Sequence, residues 1–162
     1  MSRWLQANYK RKAKVQTMEE LIKVVNDELK ASGDTEPFTE TEFWDADKSQ
    51  KVDDLINYDV DINSELFKEI ASDILTDTDY PTVQYLVQET DFVKSKYFEE
   101  LFKVALKDHF LSEVLFEEGL ISKDSPYYIP AKETLLEAIQ FDPELGKNLV
   151  KKGILDESEI NN

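Results

Sequence analysis

Residues 101–122, LFKVALKDHFLSEVLFEEGLIS, align without gaps on residues 135–156, LLEAIQFDPELGKNLVKKGILD, at an offset of 34. Leu101 falls on Leu135, Asp108 on Asp142, Leu111 on Leu145, Leu115 on Leu149 and Gly119 on Gly153. Apolar residues also meet apolar residues at Val104/Ala138, Ala105/Ile139, Phe116/Val150, Leu120/Ile154 and Ile121/Leu155. Each copy reads as two amphipathic helices, broken at the aspartate and closed by the glycine. A pattern of this period predicts stacked helical hairpins, each burying its apolar face on the next. A fainter copy lies upstream, where Asp79, Leu86, Val87 and Phe92 stand in the places of Asp108, Leu115, Phe116 and Ile121. The alternative is a bundle whose hairpins share a period by chance.

The rest of the chain extends the helical pattern. Thr17-Met18-Glu19-Glu20 has capping-box spacing ahead of Leu21, Ile22, Val24, Val25 and Leu29, and Gly33 ends that run. Trp4 to Val15 reads as a short helix of its own or as part of a longer one. Ser64 caps a run through Leu66, Phe67, Ile70, Ala71, Ile74 and Leu75. Residues 34–63 are the least regular. There Tyr58, Val60 and Ile62 alternate with polar residues, and Phe38 to Phe43, alternating only loosely, read as a short strand or as the start of a helix capped by Thr39, so one short β-hairpin near residues 36–63 is an open reading. The fold expected is an all-α single domain over 1–162 with six to eight helices. Its parts are a basic segment 1–16, a capped helix with an acidic irregular region over 17–63, hairpins over 64–156 and a tail over 157–162. The second helix of the repeat, ending in glycine, resembles the inner part of an ankyrin repeat. The T-P-L-H-x-A start of that family is missing, and the loop from Pro126 to Pro130 replaces its turn. The resemblance covers under half the chain and implies no function.

Composition limits the chemistry. The 162 residues contain no cysteine, one histidine and four glycines. Disulfides, thiol nucleophiles, Cys-type metal sites and two-histidine metal sites are thereby excluded, and little room is left for a glycine-rich phosphate loop. Thirty-five acidic groups stand against nineteen basic ones, a net charge of -16. That sign repels nucleic-acid phosphate and anionic lipid, so neither direct nucleic-acid binding nor membrane binding is expected. With 41% hydrophobic and 11% aromatic residues, the chain has enough apolar material for a core, unlike a disordered acidic segment. No apolar run reaches a membrane span and no apolar h-region opens the chain, so a cytoplasmic location is expected.

Charge is also unevenly placed. Residues 1–15 carry five basic groups and no acid, whereas residues 34–79 carry fifteen acids against Lys48, Lys51 and Lys68. The basic end either lies on the acidic middle of its own chain or leaves that middle free for a partner. Two segments begin like calcium loops, Asp45-x-Asp47-x-Ser49 and Asp59-x-Asp61-x-Asn63-x-Glu65. Loop position 6 is Gln50 or Ser64 instead of glycine, and position 12 is Ile56 or Ile70 instead of glutamate, so no metal site is expected. His109 follows Asp108 at a turn, where a helix-end role is expected over a catalytic one. Walker, HExxH and GxSxG patterns are absent, and the expectation is a protein without catalysis or cofactor.

The reading that remains is a non-catalytic acidic binding protein that covers a basic surface of another protein. Inhibitors, immunity proteins and nucleic-acid mimics directed at nucleic-acid enzymes work in this way, because their targets are basic in order to hold phosphate. The candidate interaction residues are Trp44, Asp45, Asp47, Asp53, Asp54, Tyr58, Asp59 and Asp61, with Trp44 as the anchor. Phe38, Phe43 and Phe67 are assigned to the core. The alternatives are a helical scaffold or assembly chaperone whose acidity serves solubility and, behind it, an enzyme with an unrecognised site.

Overall fold

The structure, a computed structural model, describes residues 14–160. The basic segment therefore lies outside the described residues apart from Lys14 to Gln16, as does most of the helix considered for Trp4 to Val15. Among the described residues every regular element is helical, and the all-α expectation holds. The α-helices are α1 (Met18–Ala31), α2 (Glu40–Asp45), α3 (Lys48–Asn57), α4 (Glu65–Leu75), α5 (Tyr80–Glu89), α6 (Phe98–Ala105), α7 (Phe110–Glu117), α8 (Tyr128–Phe141), α9 (Pro143–Lys151) and α10 (Glu157–Ile160). A 3-10 turn, Phe92–Lys94, follows α5. The ten exceed the six to eight expected because α2 and α10 are short, six and four residues, and ten-residue α3 is mostly polar, with only Val52, Leu55 and Ile56 apolar.

The helix starts follow their local signals. Thr17, Thr39, Ser64 and Asp79 sit in extended backbone, and each side chain accepts a hydrogen bond from the backbone N–H three residues on. Such a bond satisfies one of the donors a helix start leaves open and contributes about 1 kcal/mol. The stops are equally local. Gly119 and Gly153 take φ of 66° and 79°. Beyond each glycine the chain closes back, Leu120 N–H donating to Leu115 O and Ile154 N–H to Leu149 O, both at 2.9 Å. The two copies of the repeat thus end in the same glycine-terminated cap.

The short β-hairpin is not formed. Thr39 caps α2 and Asp47 precedes α3, so the segment meant for strands is mostly helical. Asp59, at φ 50°, interrupts the alternating residues, and Val60 makes only an isolated parallel bridge with Val15. The alternation nevertheless marked the inward side: Val60 is buried, and Tyr58 and Ile62 pack against the core.

Hairpin α4–α5 stacks on hairpin α6–α7, α4 against α6 and α5 against α7. Hairpin α8–α9 joins through α8, which packs on α7, while α3 lies across α4 and α5. Leu66, Phe67, Ile70, Ile74, Leu86, Phe92, Leu101, Leu111 and Leu115 are among the buried residues of the main core, and each such side chain contributes about 1.5–3 kcal/mol relative to exposure. A smaller core, Leu135, Ile139, Leu145, Leu149 and Leu155, belongs to the last hairpin, and Phe116 packs against both. Phe43 and Phe67 are buried and Phe38 is half-buried, as expected for core residues. The tail holds α10, tied back by an ion pair between Lys132 and Glu159.

Candidate interaction edge

The eight residues singled out in the acidic stretch fall into different environments. Asp45 and Asp47 are exposed at the α2–α3 junction, and the Asp47 side chain makes no capping bond. Trp44 is half-buried: its ring meets Phe43 edge-on at 5.1 Å between centroids, and its indole N–H donates to Glu40 at 3.4 Å. Lys51, only 3% exposed, donates from Nζ to Trp44 O and to Asp73 Oδ2, both at 2.7 Å, and lies 5.6 Å from the Trp44 ring centroid. Trp44 is thus part of a clamp that joins α2, α3 and α4.

The remaining five are engaged within the chain. Asp53 accepts from the Tyr85 hydroxyl and thereby raises the Tyr85 pKa. Asp54 is half-buried, and loss of hydration pushes its carboxyl above the usual range, opposed by the Gln50 amide at 3.1 Å and reinforced by the neighbouring Asp53 charge. Tyr58 donates its hydroxyl to Glu28 at 3.0 Å, fastening α1. Asp59 pairs with Lys14 at 3.7 Å, while its carbonyl accepts from Val15 N–H. Asp61 accepts from the Gln16 side chain at 3.1 Å and from Asn63 N–H at 2.9 Å. These acids fix turns and helix seams. Among the described residues no group of three or more acids or histidine is placed to hold a metal ion.

Stacking brings together a different set. The α4–α5, α6–α7 and α8–α9 turns lie along one edge of the stack. Asp77, Thr78 and Asp79 line a polar groove of about 320 Å³ with Asp47, Lys48 and Thr82. Asp108, in the next turn, feels the charges of both Asp77 and Lys48. A second groove, of about 540 Å³, runs from that turn to α8 and Asp142. Lys48 donates from Nζ to the Asp77 carbonyl at 3.3 Å, so its charge sits inside the acidic rim. Asp79 is held below the usual carboxylate range by hydrogen bonding to Thr82. Burial pushes Asp108 upward, although Phe110 N–H donates to its Oδ1 at 3.1 Å.

Local sequence explains why each turn carries an acid. Asp79 accepts from the start of α5, Asp108 from the start of α7, and Asp142 precedes Pro143 at the start of α9. These three aspartates occupy one position of the repeat, and that shared register was the available signal for an acidic edge. The 34–79 window caught Asp77 and Asp79 but could not show that Asp108, Glu137 and Asp142 continue the row. His109 stands at the N-cap of α7 without a side-chain cap bond; its ring lies 4.5 Å from that of Phe110, and Nε2 is 3.9 Å from Glu113.

No described helix is long and apolar enough to cross a membrane. The chain shows no significant match to a protein-family model, a curated protein or a solved structure.

Proposed function

We propose that this chain is a non-catalytic binding protein that covers a basic surface of another protein, of the kind nucleic-acid enzymes present to phosphate. The observation that supports this most is the acidic edge, where Asp47, Asp77, Asp79, Asp108, Glu137 and Asp142 line two neighbouring grooves with Lys48 and Lys107 as the lysines among them. Such a row steers a basic partner towards itself and repels nucleic acid and lipid, so it sets encounter rate and selectivity more than final affinity. Within the stretch first considered, Asp45 and Asp47 keep this role. Asp53, Asp54, Tyr58, Asp59 and Asp61 are proposed as residues that hold the edge in shape.

The test is affinity capture with the full chain at low and high salt, followed by association kinetics of the retained partner. Asp45→Lys, Asp47→Lys and Asp77→Asn together should slow association severalfold and flatten its salt dependence while leaving the fold intact. Asparagine is chosen at position 77 because φ there is 50°, a conformation asparagine tolerates. A partner indifferent both to salt and to the triple variant overturns the reading and favours the scaffold role.

A further inference from the structure

Phe141, the last residue of α8, is 85% exposed. Its counterpart in the preceding hairpin is Lys107, also exposed, so the stack itself demands nothing apolar at this position. A lone surface phenylalanine would need no explanation, but this one lines the 540 Å³ groove. Leu106 and Ala138 supply apolar walls, while Asp108, Glu137 and Asp142 supply three carboxylates against Lys107 and the His109 imidazole. Asp108 Oδ1 is taken by Phe110 N–H, and among the described residues no donor reaches its Oδ2.

We propose that this groove seats an arginine or lysine side chain from a basic protein segment, with the aliphatic stem on Phe141 and Leu106 and the charged head among Asp108, Glu137 and Asp142. The proposal rests on reading the chain as a binder of basic surfaces, and it names where the anchoring contact is made. Each part of a long cationic side chain has a match here. The stem wants apolar cover, which Phe141 and Leu106 give, and the carboxylates supply acceptors for the head. A cation also offsets the hydration that Asp108 has lost. Arginine is the cation most enriched among residues that dominate binding energy, and aromatic residues are its frequent neighbours. The bodies of two copies, each of net charge -16, repel, so a second copy could fit only by offering its basic residues 1–15.

The test uses the full chain, labelled with nitrogen-15, and a capped peptide alternating arginine and leucine; the control peptide carries glutamine in place of arginine. The expected result is amide shift changes centred on residues 106–109 and 134–142, with no response to the control. Phe141→Ser should weaken the peptide about tenfold, as should Glu137→Gln combined with Asp142→Asn. All three positions are exposed, so unchanged spectral dispersion checks that the fold is kept. Equal binding by Phe141→Ser overturns the proposal. Shift changes confined to Asp47, Asp77 and Asp79 overturn it as well, yet leave the binding reading standing. No response anywhere to millimolar peptide counts against both.

Discussion

Asp54 works against the fold near neutral pH. Its carboxyl is pushed above the usual range chiefly by lost hydration, so between the ordinary and the raised pKa the folded chain holds a proton that the unfolded chain has released. The contribution of Asp54 to stability is therefore greatest below the ordinary carboxylate pKa and falls as pH rises through the raised, folded value. Asp79 and Glu159 have the opposite sign: both are lowered, by Thr82 and Lys132 respectively, so their contribution is present above the ordinary value and fades as pH falls through the folded one. Asp54→Asn keeps a partner for Gln50 and removes the charge. It should be more stable than the parent at neutral pH and lose that advantage in acid, as read from urea midpoints over a pH series. A variant curve parallel to the parent would show that burial does not govern this group. Lys51 illustrates what a single residue conceals: lysine reads as surface in a sequence, yet here it is buried because the Trp44 carbonyl and Asp73 accept from its ammonium group.

At the scale of the element, caps carry information that periodicity alone lacks. Ser64 accepts from Phe67 N–H at 3.1 Å and itself donates to the Asp61 carbonyl at 2.6 Å, so one hydroxyl starts α4 and fixes the preceding turn. Ser64→Ala should cost about 2 kcal/mol, the upper end for an N-cap, because two bonds are lost; calorimetric melting measures it. Asp79→Ala removes a cap from α5 and should cost about 1 kcal/mol. Signals of this kind explain how much of the architecture was readable from residues alone. Thr17 and Ser64 announce helices through bonds spanning three residues, and Gly119 and Gly153 announce ends through their own backbone. The α2–α3 region was only partly legible, Thr39 marking a helix start that stayed one of two readings, for the converse reason. Six-residue α2 buries only Phe43, too little to display a period, and the alternation of Tyr58, Val60 and Ile62 imitates a strand. The edge of acids required knowing which turns meet, a non-local fact, and Phe141 was hidden because an aromatic at helical spacing is ordinarily counted as core.

For the whole molecule, the division into two cores decides how stability is distributed. The main core spans α1 to α7 and takes in only Ala131 of α8, whereas the rest of the last hairpin relies on five buried aliphatic residues, on Phe116 and on the Lys152 ammonium, which pairs with Glu113 at 3.7 Å and with Glu117. Stacks of this kind open from their ends, since a terminal unit has one neighbour. Amide exchange in α8 and α9 should therefore run ahead of that in α4 and α5. Lys152→Met, which leaves buried Glu113 without that partner, should widen the gap by accelerating α8 and α9 alone. Uniform acceleration along the chain would mean that the two cores melt as one. The same arrangement makes the protein a graded spring. Held at its two ends and stretched, it should yield first at the Phe116 seam, releasing on the order of 100 Å of chain from the final hairpin at low force. The main stack should then break at a higher load. Because one wall of the Phe141 groove is α8 and the other is the α6–α7 turn, that first rupture would also separate the walls, so a bound partner would be let go by tension before the body of the molecule is damaged.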